Sequence, residues 1–301
     1  MIADALGPIF LLILLGALLN RLDFPGAHFW PGIERLTYYV AFPALLVHQL
    51  ALADFAEANL VRLTAVIVTT LVVASAVIFV LRRRLASSGP ELTSVYQGSI
   101  RFNSYIGLAC ASALYGPEGL VIAALALGIM IPLVNFLCVV AFALVDEARG
   151  VDLGRVGRGL ITNPLIVGCL IGIGLNVTQL GLPGWSADTL QLLGAVALPM
   201  GLIAVGVALK PAGIGRHWPL IIKSSLLKFL LVPGLMFGFA MLLHLDSRSG
   251  QILLLLGCLP TASSAFILAR QLGGDTVLMA RIITLQTLMA FAVIPLWLAL
   301  T

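Results

Sequence analysis

Charged side chains are scarce throughout this chain of 301 residues, where Lys, Arg, Asp and Glu together make up only 10% of the positions. Soluble domains carry roughly 25%. Hydrophobic residues account for 60% of the sequence, more than a water-soluble core can bury. Apolar segments of about 20 residues recur along the chain, and each is long enough to cross a hydrocarbon layer. The sequence therefore predicts a membrane protein whose solvent is largely lipid.

Signals of several other protein classes are also missing. The chain has no GxSxG elbow, HExxH pair or P-loop, so no catalytic residue is assigned and no enzyme or nucleotide-driven pump is indicated. The four cysteines have no CxxC spacing and lie in apolar runs, so no disulfide, metal site or cofactor is predicted. The net charge of +4 is spread over short loops, which indicates membrane topology rather than nucleic-acid binding.

Ten apolar segments are separated by short loops rich in Gly and Pro, and they predict ten transmembrane helices. The first segment has neither a preceding basic run nor a cleavage site, so it is interpreted as a span and not as a signal peptide. The predicted spans are residues 5–20, 33–52, 60–81, 92–115, 119–145, 159–176, 186–209, 219–243, 250–270 and 276–300.

The basic residues of the loops are distributed unequally between the two sides of the membrane. One side carries only Arg62 and Arg248. The other carries eleven basic residues: Arg21, Arg35, Arg82, Arg83, Arg84, Arg149, Arg155, Arg158, Lys210, Arg216 and Arg270. Because cytoplasmic loops are enriched in Lys and Arg, this side is predicted to face the cytoplasm. An even number of spans then places both termini outside, in an inner or plasma membrane.

A shift of 156 residues superposes features of the two halves of the chain. It aligns Pro43 with Pro199 and Ser104 with Pro260. With five spans in each half, the halves have opposite orientations, as in many secondary transporters. The sequence therefore predicts an all-α membrane protein of two inverted five-helix repeats, residues 1–145 and 159–301, joined by a short cytoplasmic loop at 146–158.

Polar residues interrupt the fourth and ninth spans at equivalent positions. Backbone that leaves a helix inside a bilayer must be buried in protein or line a cavity, and Pro260 lacks the N–H that a continuing helix needs. Two interrupted, crossing helices would direct their N-terminal ends at an anion. A simple packing role for the proline and the small residues is the alternative. The candidate substrate-binding residues are Arg101, Asn103, Ser104, Tyr105, Pro260, Thr261, Ser263 and Ser264.

Further candidates lie elsewhere in the spans. Pro43, Pro199, Pro260 and Gly107 are predicted helix breaks or hinges, although kinks at packing interfaces have the same signature. Arg101 is expected either to pair with a carboxylate or to extend toward a headgroup. Two more basic residues within spans, Lys228 and Arg281, are candidates for contact with substrate or with an intramembrane partner. No acidic residue within a span stands out as a proton or sodium site.

Four sequence runs together resemble the auxin efflux carrier family, and especially its bacterial members described as malonate or related carboxylate carriers. They are LTYYVAFPALL (36–46), TNPLIVG (162–168), LPMGLIAVG (198–206) and LPTASSAF (259–266). The resemblance implies that spans 1, 2, 6 and 7 form a scaffold and that spans 3–5 and 8–10 form a mobile transport domain. It also implies that Asn103 binds the substrate carboxylate and that Pro260 is the crossover proline. Span four departs from the family pattern because no proline occurs between Pro90 and Pro117.

The function predicted from these features is secondary transport of a small organic anion, a mono- or dicarboxylate, by alternating access around the crossing of spans four and nine. A membrane receptor or sensor that shares the carrier fold is one alternative, and an anion channel is another. The expected partners are the substrate anion and the lipid bilayer, and no nucleic acid. A coupling proton or sodium ion and a homodimer are compatible with the sequence, which identifies neither.

Overall fold

The computed structural model describes residues 2–26, 28–53, 59–145, 154, 157–158, 162–209 and 217–300, and the regular structure within these ranges is helical. Most of the predicted loop 146–158 lies outside them, as do Arg149, Arg155, Lys210 and Arg216. The helices are α1 Ile2–Arg21, α2 Phe29–Leu36, α3 Phe42–Ala51, α4 Leu60–Val80, α5 Arg82–Leu85, α6 Gly89–Ile100, α7 Ser104–Val145, α8 Pro164–Val177, α9 Gly184–Ala208, α10 Trp218–Leu226, α11 Val232–Leu242, α12 Ser247–Gly257, α13 Ser264–Leu272 and α14 Thr276–Leu300.

Six helical segments in the described ranges are long and apolar enough to cross a membrane. They are Asp4–Arg21, Leu60–Val80, Gly89–Val145, Gly184–Ala208, Trp218–Leu242 and Thr276–Leu300. The other predicted spans fall on helices that are shorter, less apolar or interrupted. A multi-spanning helical membrane protein is thus confirmed, whereas the count of ten spans and the inverted repeat stay predictions.

The described chain divides into two compact units, and each unit draws on both halves of the sequence. Unit 1 consists of Met1–Ala58, Tyr105–Gly128 and Gly157–Ala208. Unit 2 consists of Asn59–Ser104, Ile129–Val156 and Leu209–Thr301. Helix α7 runs through both units and contains a sharp change of direction at Gly116, whose φ of 66° lies in the region that favours glycine.

Unit 1 is held by helices that approach each other closely at glycines. Gly16 of α1 lies against the carbonyl of Ile203 in α9, and a Cβ at Gly206 would lie 2.8 Å from the amide nitrogen of Ala17. Small residues allow such backbone contact, and membrane helices gain most of their packing energy from it. Asn163 caps α8 by accepting hydrogen bonds from Leu165 and Ile166, with Pro164 in the first turn.

Two of the predicted helix breaks are not breaks. Pro199 lies inside the continuous helix α9. Pro43 follows a π-helical turn, Thr37–Ala41, that joins α2 to α3 without an interruption. A proline ring clashes with the carbonyl of the preceding turn, and the wider π turn relieves that clash while the helix continues. The same arrangement recurs in unit 2, where a π turn at Leu227–Leu231 precedes Pro233 and joins α10 to α11.

Candidate functional site

The fourth span is interrupted although it contains no proline. Helix α6 ends at Ile100, and Arg101 is extended, with φ −72° and ψ 155°. Helix α7 then begins at Ser104. The amide of Asn103 leaves the helical pattern and donates to the carbonyl oxygen of Pro260 at 2.8 Å. The ninth span thus supplies the acceptor that this freed backbone group requires in a membrane interior.

The ninth span is interrupted between α12, which ends at Gly257, and α13, which begins at Ser264. Thr261 follows Pro260 within this gap and is completely buried. Its hydroxyl donates to the carbonyl oxygen of Gly98 at 2.8 Å, so it satisfies a carbonyl near the end of α6. The two breaks therefore lie side by side in unit 2 and complete each other's hydrogen bonds.

Gln286 of α14 forms hydrogen bonds to both breaks. No motif in the sequence predicted this role. Its Oε1 accepts from the amide of Thr261 at 3.1 Å, and its Nε2 donates to the carbonyl of Gly98 at 2.9 Å. A longer contact of 3.4 Å joins Nε2 to Ser224 Oγ in α10. One feature of the sequence could have identified Gln286: it is a glutamine in a helix that is otherwise mostly apolar. A buried amide needs hydrogen-bond partners for both its oxygen and its nitrogen.

The place where the two breaks meet, residues 101–103 and 258–263, is called the crossing below. The side chain of Arg101 has a donor there without a geometric hydrogen-bond partner among the described residues. Its Nη2 donates to Ser264 Oγ at 3.1 Å. Its Nη1 is buried and has no hydrogen-bond partner among the described residues. The thiol of Cys138 in α7 lies within hydrogen-bonding range of the guanidinium, where it is a weak and neutral acceptor. A guanidinium offers a planar fork of N–H donors that matches a carboxylate, so the free nitrogen is suited to an anionic oxygen.

The structure brings together most, but not all, of the predicted substrate-binding residues. Arg101 pairs with Ser264, and Asn103, which is 4% exposed, pairs with Pro260 through its backbone. Ser104 and Ser263 are half-buried at the starts of α7 and α13. The hydroxyl and amide of Thr261 are both engaged within the protein.

Tyr105 and Gly107 are placed differently. Tyr105 belongs to unit 1, where its ring stacks on Phe42 with centroids 4.4 Å apart and planes 7° apart. Gly107 lies inside helix α7. The chain leaves the helix at residues 101–103 and not at this glycine, because the acceptor for the freed amide of Asn103 is the carbonyl of Pro260.

The remaining basic residues within spans have separate environments. Arg281 lies near the start of α14, where its Nη1 is 3.0 Å from Nδ1 of His217, whose Nε2 is 3.8 Å from an oxygen of Asp275. Nε of Arg281 is buried and has no hydrogen-bond partner among the described residues, so Arg281 remains a candidate for contact with substrate or with an intramembrane partner. Lys223 donates to the carbonyl oxygen of Arg84 at 2.7 Å. Lys228, in contrast, is buried in the π turn between α10 and α11.

Carboxylates in the described part of unit 2 lie at helix starts and not at the crossing. Glu91 accepts from the amide of Ser87, Asp246 from that of Ser249 and Asp275 from that of Leu278. Each engages backbone N–H groups where a helix begins, which is a favourable position for an anion. Within the described part of unit 2, the groups at the crossing are therefore neutral or basic, a composition that favours an anionic ligand.

Comparison with known proteins points to transport. Residues 151–298 match a family described as membrane transport protein. A protein of Methanothermobacter thermautotrophicus described as an uncharacterized transporter is 24% identical over 293 residues, which cover 96% of this chain and 95% of the relative. A second uncharacterized transporter, from Methanocaldococcus jannaschii, is 26% identical over 142 residues, 44% of each chain. Residues 151–298 of this multi-spanning helical protein are thus similar to a family of membrane transport proteins, and nearly the whole chain is similar to an uncharacterized transporter.

Proposed function

We propose that this protein is a secondary transporter that binds a small organic anion, a mono- or dicarboxylate, at the crossing of the two interrupted helices. The observation that carries the proposal is the buried Nη1 of Arg101, which has no partner among the described residues. A buried donor without an acceptor costs about 1–3 kcal/mol, and more when it is charged. A bound carboxylate would remove that cost.

The surroundings of Arg101 support an anion over a cation. Helix α13 begins at Ser264, the residue that accepts from Arg101, and a helix N-terminus carries a partial positive charge and unpaired N–H groups. None of the three described carboxylates of unit 2 lies at the crossing, since all three bind helix starts. A carboxylate oxygen near Nη1 would therefore meet no like charge from the described carboxylates of unit 2.

Asn103 is proposed to orient the same anion, as the family resemblance implies. Its backbone is fixed by the hydrogen bond to Pro260, and its side chain is almost wholly buried. A fixed position loses little conformational entropy when it contacts a ligand. We expect Asn103→Ala to lose transport while the protein still inserts and folds, because the Pro260 contact uses only the backbone.

Uptake of radiolabelled carboxylates into liposomes that contain the purified protein tests the role of Arg101. Loss of a charge-assisted hydrogen bond of roughly 1.5–3 kcal/mol predicts that Arg101→Gln weakens substrate affinity about 10- to 100-fold. Arg101→Lys keeps the charge without the fork and should retain part of the activity. Arg270→Gln is the control, because Arg270 is an exposed arginine in the last turn of α13. Wild-type affinity in Arg101→Gln would refute the assignment.

The same liposomes distinguish a carrier from a channel. A carrier that alternates between outward-open and inward-open states saturates with substrate, whereas a channel gives flux that rises with concentration and follows the membrane potential. Spans 1, 2, 6 and 7 are proposed as the scaffold and spans 3–5 and 8–10 as the moving part. Unit 2, which contains the crossing, is assigned to the moving part.

The protein is proposed to lie in the inner or plasma membrane. Both termini then lie outside the cytoplasm, and the basic loops lie in the cytoplasm. This orientation rests on the excess of Lys and Arg in one set of loops. Cysteine introduced at Asp188, near the start of α9 on the side predicted to be external, should react with a membrane-impermeant maleimide in intact cells. Labelling only after lysis would contradict this orientation and indicate the opposite one.

A further inference from the structure

Lys228 is a basic residue that is not among the residues proposed to bind the anion. It is only 1% exposed and belongs to the π turn Leu227–Leu231 between α10 and α11. A π turn inserts an extra residue into a helix and is frequent at functional sites. Polar or ionisable residues at membrane depth are costly and are retained where they act. The burial of this lysine therefore requires a physical reason.

The described part of unit 2 provides no carboxylate for Lys228. Glu91, Asp246 and Asp275 accept hydrogen bonds at helix starts, as shown above. Among the described residues, the thiol of Cys258 interacts electrostatically with the ammonium. An ion pair with an acidic side chain of these ranges thus does not explain the lysine.

The position of Lys228 relative to helix ends supplies an explanation. Cys258 caps the C-terminal end of α12, and its amide bonds to carbonyls of the last turn of that helix. Gly257 packs against Pro233, two residues after the π turn. Helix α6, which ends at the other interruption, also packs against the π turn. The C-terminal end of a helix carries a partial negative charge, which stabilises a cation.

In transporters with interrupted helices, the C-terminal ends of half-helices and the unwound carbonyls near them hold the coupling cation. We propose that the Lys228 ammonium fills this position, so that the protein carries its own cation and binds no sodium ion there. The transport consequence rests on the proposed function: movement of the anion should be the same in sodium and in choline. The ion-binding consequence does not depend on the identity of the substrate.

Thermal unfolding of the purified, detergent-solubilised protein tests the ion-binding consequence directly. Melting temperatures are compared in sodium chloride and in choline chloride at equal ionic strength, since a ligand that binds the folded state raises the melting temperature with its concentration. The wild type should melt at the same temperature in both salts. Lys228→Ala and Lys228→Gln should gain a saturable stabilisation by sodium of several degrees, because each vacates the cation position and Gln adds an oxygen.

Lys223→Ala is the matched control. This lysine is in the same helical segment, but its ammonium donates to the carbonyl of Arg84, so the variant should respond to sodium as the wild type does. Stabilisation of the wild type by sodium over choline would overturn the proposal, and this arm needs no variant to fold. A lack of sodium response in both Lys228 variants would overturn it as well. If stabilisation by malonate, the probe carboxylate, were lost in both at the same time, Lys228 would be a substrate contact instead.

Discussion

Gln286 forms hydrogen bonds to both interrupted helices, through Thr261 and Gly98. Its replacement by leucine tests how much these hydrogen bonds stabilise unit 2. Gln286→Leu removes the acceptor of the Thr261 amide, while the carbonyl of Gly98 keeps the hydroxyl of Thr261 as a donor. One buried N–H is left without a partner, which costs about 1–3 kcal/mol. For a chain of this size, the melting temperature should fall by roughly 2–5 °C.

Gln97→Leu is the matched control for this measurement. Gln97 is also a fully buried glutamine of unit 2, but neither atom of its amide has a hydrogen-bond partner among the described residues. Replacing it by a similar apolar side chain should leave the melting temperature unchanged or raise it. Both variants are compared in one detergent at a fixed scan rate, because unfolding of membrane proteins is often irreversible. An equal loss of stability in the two variants would refute the hydrogen-bond explanation.

Three further predictions concern packing and burial. Gly16→Leu should prevent close contact of α1 with the carbonyl of Ile203 and cost at least about 1–3 kcal/mol, with a lower melting temperature than Gly7→Leu, whose added Cβ meets no atom within 4 Å. Asn176→Ala should destabilise unit 1, because its Nδ2 donates to the carbonyls of Ala51 and Ala53, and Asn176→Asp should not restore the melting temperature. All four cysteines are buried, so a membrane-permeant maleimide should label them only after denaturation; rapid native labelling would contradict their packing.

The sequence predicted the interruption of the ninth span because a proline ring excludes a helical N–H wherever it occurs. For the fourth span the signal was weaker, since polar residues mark a region without marking the residue at which the helix ends. That residue is determined by a partner distant in sequence: Asn103 leaves the helix where the carbonyl of Pro260 accepts its amide. Contacts of this kind between distant residues are invisible to a local pattern.

Pro43 and Pro199 show why the same signal failed elsewhere. Inside a membrane, a helix ends only if the freed backbone groups find partners. At Pro260 those partners are supplied by neighbouring helices. At Pro43 the preceding π turn makes room for the proline ring, and at Pro199 the helix continues past the proline. Lys228 was a candidate from its type alone, but its position beside the end of α12 required the structure.

The hydrogen bonds at the crossing also restrict how a substrate can be released. Separation of the two breaks would rupture two hydrogen bonds at once, that from the Asn103 amide to the Pro260 carbonyl and that from the Thr261 hydroxyl to the Gly98 carbonyl. The proposed anion site would therefore not open by fraying of one half-helix alone. Under the proposed function, we expect exchange of substrate to proceed by a concerted displacement of the whole crossing, on the microsecond to millisecond timescale of collective motions, and local picosecond flexibility should contribute little to the rate.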